Sequence, residues 1–184
     1  MRLLIVYGTT EGHTKAVALH MAEVAAEHGH KVETLHAAAL DAPVDPYWFD
    51  GVMVGASVHQ GRHQSSVREF VLANKALLKQ LPSAFFSVSL SAAVKDEVHQ
   101  AEAKEYAETF LRETGWQPQM KASFAGAVRH AAYDYFRAMI LKVLARQLGP
   151  GIIQGEDVVY TDWDTVETFV KAFLETAPSR VQRR

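Results

Sequence analysis

The chain begins with an apolar run, Leu3-Leu4-Ile5-Val6-Tyr7, that passes directly into Gly8-Thr9-Thr10-Glu11-Gly12-His13-Thr14. The run reads as a buried strand, and a helical pattern opens at Lys15-Ala16-Val17-Ala18-Leu19. Few architectures place a hydroxyl-rich loop between a first strand and a first helix. Backbone N–H groups at a helix N-terminus carry partial positive charge, and the threonine hydroxyls add donors, so the loop suits a phosphate group. The ATP-type loop needs four residues between its glycines and then Lys-Ser/Thr. Here Thr9-Thr10-Glu11 separate Gly8 from Gly12, and His13-Thr14 follows. The dinucleotide fingerprint G-x-G-x-x-G is absent as well. Hydroxyls and backbone donors without a fixed cation suit a terminal phosphate monoester. The bland alternative is an ordinary glycine-rich turn from strand to helix.

Strand and helix patterns alternate beyond this point. Strands are expected near 2–7, 31–36, 51–56, 84–89 and 119–126, and helices over 13–28, 64–79, 97–114 and 163–177. Such alternation predicts an α/β fold: a doubly wound, five-stranded parallel sheet with helices on both faces. Pro43 to Trp48 joins two strands without a long helix of its own. A length of 184 residues suits one domain, 1–184, with a sizeable core. The basic tail 178–184 is expected to be mobile. No cysteine is present, which excludes disulfides, Fe–S clusters and thiol chemistry. Met1-Arg2 lead into the strand without a signal-peptide pattern, and no apolar run approaches the roughly 18 residues that span a bilayer. The reading is a cytoplasmic protein, with contact at a membrane surface left open.

In such sheets ligands sit beyond the carboxyl ends of the strands, where the strand order reverses. Three loops are expected to meet there: the phosphate loop, Ser57-Val58-His59-Gln60-Gly61-Arg62-His63, and Ser89-Leu90-Ser91-Ala92-Ala93-Val94. The stretch Ile5 to Thr14 resembles the FMN phosphate loop of flavodoxins. The resemblance implies a flavodoxin-like fold and an FMN cofactor. Its binding residues would be Thr9, Thr10, Glu11, Gly12, His13 and Thr14, with Ser57, Val58, His59, Gly61, Ser89, Leu90 and Ser91 around the ring. Neither ring loop offers a stacking tryptophan or tyrosine, so Val58, His59 or Leu90 would supply the walls. Loose ring packing suits an enzyme that admits a substrate. Flavodoxin electron carriers are typically strongly acidic, whereas this chain has a net charge of −2. His59 and His63 are four residues apart but lack a third ligand, so no metal site is read there.

A minimal fold of this kind needs only a short connection before its last helix. Here the connection runs from about 127 to 157. Within it, Tyr133 to Leu148 reads as an amphipathic helix, with Phe136, Met139, Ile140, Val143 and Leu144 on one face. Arg137, Lys142 and Arg146 flank that face, and Arg129 and His130 precede it. A cationic amphipathic helix can lie on an anionic membrane, cover a partner's apolar groove, or pack on its own domain.

Ser83-Ala84-Phe85-Phe86-Ser87-Val88, Phe124 to Arg129 and Val158-Val159-Tyr160-Thr161-Asp162-Trp163 resemble segments of the menaquinone-dependent protoporphyrinogen IX dehydrogenases, flavodoxin-like enzymes of bacterial haem synthesis. Gly55-Ala56-Ser57, Gly61, Ser65 and Glu69-Phe70-Val71 also match their second loop. The likeness covers nearly the whole chain, the insert included. It implies FMN-dependent oxidation of a porphyrinogen, with electrons passed to a membrane quinone and no nucleic-acid partner. Arg62, His63 and Arg129 are candidates to meet substrate carboxylates, since guanidinium groups pair with them bidentately. No catalytic base is assigned. The third loop departs from the family, with Ala92-Ala93-Val94 before Lys95 where more basic residues are expected. The alternatives are a flavodoxin-type electron carrier and an FMN-dependent quinone reductase with another donor.

Overall fold

A computed structural model describes residues 1–39, 44, 45, 48–128 and 157–176. The sheet is built from β1 (Arg2–Gly8), β2 (Lys31–His36), β3 (Gly51–His59), β5 (Ser83–Ser89) and β6 (Met120–Ala125), with a two-residue β4 (Arg62–His63) added to β3. The five long strands are parallel and lie in the order β2-β1-β3-β5-β6. Counting only these five, the order is 2-1-3-4-5, that of flavodoxin-type sheets. The helices are α1 (His13–Glu27), α2 (Ser65–Ala73), α3 (Lys75–Gln80), α4 (Glu97–Thr114) and α5 (Trp163–Thr176). A separate antiparallel pair, β7 (Ala127–Val128) and β8 (Val158–Val159), brackets the connection before α5.

Successive strand residues point to opposite faces, and both faces are buried. Leu3, Ile5 and Tyr7 pack with Val17, Met21 and Val24 of α1 and with Val166, Val170 and Phe173 of α5. Leu4 and Val6 pack on the other side with Val67 and Val71 of α2, Leu77 and Leu78 of α3, and Phe110 of α4. Two cores thus clamp one sheet. The central strands β1, β3 and β5 are buried nearly throughout, whereas the edge strands β2 and β6 keep exposed residues such as Glu33 and Lys121.

Two details differ from the sequence-based expectation. The strand expected to end at 56 continues to His59 and folds back as a hairpin, pairing Val58 with His63 and His59 with Arg62. The second loop is therefore a strand extension, and the sheet gains a short sixth, antiparallel strand. The helix expected over 64–79 is split at Asn74. Its buried amide donates to the Phe70 carbonyl (2.9 Å) and accepts from the Val44 N–H (2.7 Å), competing with the helical ladder. The expected helix 133–148, the tail 178–184 and most of the connection around Pro43 lie outside the described residues.

Candidate functional site

The carboxyl ends of β1, β3 and β5 converge on an open cleft of about 420 Å³. Thr9, Thr10, Glu11, His13 and Thr14 line one side, Ser57, Val58 and His59 another, and Val88, Ser89 and Leu90 a third. Gly126 and Ala127, after β6, complete it. The cleft sits at the switch point between β1 and β3, whose onward connections run to opposite sides, to β2 and to β5.

The phosphate loop is shaped by its backbone. A Cβ on Gly8 would lie 2.3 Å from Val67 Cγ2, so only glycine lets β1 pass so close to α2. Gly12 caps α1 at φ 87°, a left-handed conformation that favours glycine, and no side chain caps the helix. Thr9 Oγ1 accepts from the Gly12 N–H at 2.9 Å and closes the loop. Thr14 is fully buried, lines the cleft, and its Oγ1 has no hydrogen-bond partner. An unpaired buried hydroxyl costs on the order of 1–3 kcal/mol. A phosphate oxygen at the start of α1 would satisfy it, together with the first-turn N–H groups. No lysine or arginine lines the cleft among the described residues. The donors are hydroxyls, backbone and helix dipole, which fits the phosphate monoester of FMN.

His13 is fixed from the far end of the chain. The Thr161 hydroxyl donates to the Ala125 carbonyl (2.7 Å), so it accepts from His13 Nε2–H (2.6 Å). The run Tyr160 to Trp163 thus ties the phosphate loop to β6 and to the start of α5. Asp162 caps that helix through the Thr165 N–H (3.2 Å) and hydroxyl (2.9 Å), bonds that hold its carboxyl below the usual range.

The second wall differs from its sequence-based picture. Gln60 and Gly61 have φ values of 52° and 76°, the paired positive angles of a type I′ hairpin turn. Gly61 and Arg62 are exposed at the hairpin tip and do not line the cleft. Side chains alternate along the hairpin, so His59 and His63 lie on opposite faces. His59 lines the cleft. His63 turns towards the sheet, where Nε2 meets Ser87 Oγ at 2.9 Å and the ring packs edge-on against Phe85 and Phe110. Burial lowers its pKa to about 4, so the ring is neutral near pH 7. The structure thus places His63, a candidate to meet a substrate carboxylate, outside the cleft lining and against the sheet.

On the third wall, Ser89 Oγ accepts from the Ala92 N–H (3.3 Å), which turns the chain into a short 3₁₀ segment, Ser91–Ala93. Ser91 is buried, and its hydroxyl donates to Glu102 of α4 at 2.6 Å, away from the cleft lining. Val58, His59 and Leu90 all line the cleft, and among the described residues its lining contains no tryptophan or tyrosine. Arg129 lies outside the described residues. Sequence reasoning missed Gly126, Ala127, Thr161 and Gln64. Their roles follow from strand order and from contacts between distant segments, which no local pattern announces.

Comparison with known proteins agrees with this geometry. A flavodoxin-domain family model matches residues 4–150. The protein named protoporphyrinogen IX dehydrogenase [quinone] in Escherichia coli (strain K12) is 32% identical over 173 residues, covering 93% of each chain. The protein of the same name in Leishmania major is 30% identical over 176 residues, 94% of this chain and 74% of that one. Among solved structures, oxidised flavodoxin 1 from Bacillus cereus matches with a TM-score of 0.53 at 15% identity, covering 97% of this chain and 100% of that one. The Streptococcus pneumonia TIGR4 flavodoxin matches with a TM-score of 0.51 at 14% identity, covering 95% and 96%. These structures share the fold. The chain belongs to the flavodoxin-domain family, among relatives that carry the protoporphyrinogen IX dehydrogenase name.

Proposed function

We propose that this chain is an FMN oxidoreductase that oxidises protoporphyrinogen IX and delivers the electrons to a quinone. The relatives' names supply the substrate and acceptor, and the likeness to them spans 93% of the chain. The observation that carries the cofactor is the buried, unpartnered Thr14 hydroxyl at the open N-terminus of α1. Bound FMN would supply the two-electron redox chemistry. The chain's own residues bind and orient it. Thr10, Thr14 and the first-turn N–H groups hold the phosphate, Thr9 keeps the loop closed, and His13 is locked in one tautomer by Thr161. Val58, His59 and Leu90 form the ring walls, and Ser57 and Ser89 present polar atoms between them.

We assign the part of the cleft beside Val58, His59 and Leu90 to a flat substrate. Arg62 is exposed at the hairpin tip, and we assign it to a substrate carboxylate, with which a guanidinium pairs bidentately. Arg129 is assigned the same role from its position in the sequence. Removing several electron pairs from one substrate requires repeated turnover, so the acceptor must reach the ring edge while FMN stays bound. The connection through residues 129–156 is the segment we assign to a membrane surface. Among the described residues, no helix is long and apolar enough to cross a membrane.

The test is anaerobic. FMN-loaded protein is mixed with protoporphyrinogen IX, with and without menaquinone, and porphyrin fluorescence is followed against a protein-free control. Quinone-dependent fluorescence above the control supports the assignment. A rate equal to the control with the FMN site full overturns it in favour of an electron carrier.

A further inference from the structure

Gln64 lies outside every motif read from the sequence. It occupies the N-cap of α2, where a side chain ordinarily accepts from a first-turn N–H, yet it makes no such bond. Its amide turns to the cleft instead. Nε2 donates to Thr10 Oγ1 at 3.2 Å and to Ser57 Oγ in a second, short bond. One hydroxyl belongs to the phosphate loop and the other to the end of β3, and both line the cleft. The amide oxygen is buried without a partner. A helix cap left unmade and a carbonyl left unpaired are local costs, and such costs concentrate where a site needs the side chain elsewhere.

A hydroxyl carries one proton and two lone pairs. When a lone pair is engaged by an amide N–H, the proton is left to find another acceptor. Thr10 and Ser57, each receiving an N–H from Gln64, therefore offer their own protons to the cleft. A phosphate monoester presents only acceptor oxygens. We propose that Gln64 is a positioning residue that fixes Thr10 and Ser57 as donors and so tunes the cleft to a phosphorylated flavin over an unphosphorylated one. The inference rests on the FMN reading above. It concerns polarity: if the two hydroxyls donated to Gln64 instead, they would show the cleft lone pairs and repel phosphate oxygens.

Gln64→Glu nearly preserves the shape and imposes that reversed state, because an ionised carboxylate only accepts. Gln64→Met removes the donor without adding charge. The full-length apoprotein of each variant is titrated with FMN and with riboflavin, following quenching of flavin fluorescence, after circular dichroism has shown it folded. Gln64→Glu is expected to weaken FMN by about tenfold or more and Gln64→Met by about threefold or more, with riboflavin changed by less than about threefold in the first and less than about twofold in the second. Thr10→Val is expected to weaken FMN in the wild-type background and to add less than about twofold in the Gln64→Met background, since the two act through one contact. Equal losses for both flavins would mark a merely structural role and overturn the proposal. Unchanged FMN affinity in Gln64→Met would overturn it as well. If Gln64→Glu does not fold, Gln64→Met and the Thr10 cycle decide. Wild-type protein that binds neither flavin would remove the FMN reading and this inference together. Wild-type protein that prefers FMN, with variants that keep that preference, would remove this inference alone.

Discussion

Thr14 and His63 are both side chains whose surroundings decide their chemistry, in opposite directions. The Thr14 hydroxyl is buried and unpaired, so Thr14→Val removes a desolvation cost from the apoprotein and a donor from the bound state. We expect apo stability to hold or rise by up to ~1 kcal/mol, while FMN binds about tenfold more weakly, a loss of ~1.4 kcal/mol. Calorimetric titration beside thermal denaturation separates the two effects, and riboflavin affinity should not move. His63 has a pKa lowered to about 4 by burial, against 6.5 when unperturbed. The unfolded chain therefore binds the extra proton between those values. Stability contributed by the neutral ring is fully present above about pH 6.5 and is lost as pH falls towards 4. The effect is at most ~3 kcal/mol, from 1.36 kcal/mol per pKa unit. His63→Gln retains a polar partner for Ser87 and should flatten the denaturation midpoint across that pH window; an unchanged slope would assign the acid sensitivity elsewhere. Thr14 was legible because loop, hydroxyl and helix start are neighbours in sequence. His63 was not, because burial against Phe85 of β5 and Phe110 of α4, both distant in sequence, is what keeps it neutral.

Among the elements, the β3–β4 hairpin shows where periodicity runs out. Apolar residues end at Ala56, so the strand was expected to stop there, yet main-chain pairing carries it to His59 and turns it back through Gln60-Gly61. A type I′ turn needs positive φ at both central residues, and glutamine is poorly suited to that region. Asparagine tolerates it better. Gln60→Asn should therefore stabilise the protein by about 0.5–1 kcal/mol, read as a higher denaturation midpoint with an unchanged m-value. A loss of stability would mean that the Gln60 side chain makes contacts worth more than the backbone relief. The split between α2 and α3 was hidden for a similar reason. Leu77 and Leu78 keep the helical pattern of the residues before them, and the break shows only at Asn74, which leaves helical geometry at φ −109° and ψ 26° with its side-chain amide bonded to Phe70 and Val44. By contrast α4 was legible end to end. Asp96 caps its start by accepting from the His99 N–H, and Gly115 ends it at φ 66°.

At the scale of the molecule, the alternation of strands and helices announced a doubly wound parallel sheet, and the observed strand order brings the ends of β1, β3 and β5 to one place. What alternation could not convey is that the cleft also depends on the end of the chain. Thr161 lies 148 residues from His13, yet its hydroxyl joins that ring to the Ala125 carbonyl. Trp163 then packs near His13 and edge-on to His20 of α1, at 6.2 and 4.9 Å between ring centroids. A ligand at the phosphate loop should therefore stabilise α1, β6 and α5 together rather than the loop alone. A ligand that binds only the folded state adds RT ln(1 + [L]/Kd), about 2.7 kcal/mol at a hundredfold excess over Kd. Thr161→Val keeps the shape but removes both the acceptor for His13 and the donor to Ala125. We expect it to weaken FMN several-fold and to shrink the FMN-induced rise in melting temperature at fixed FMN concentration. Amide exchange should localise the change: FMN should slow exchange in α1 and in α5 of the wild type, and in α1 alone of the variant. Protection of α5 that survives Thr161→Val would show that the two helices are coupled through the apolar core of Val17, Met21, Val166 and Val170, and that the hydrogen-bonded link plays no part.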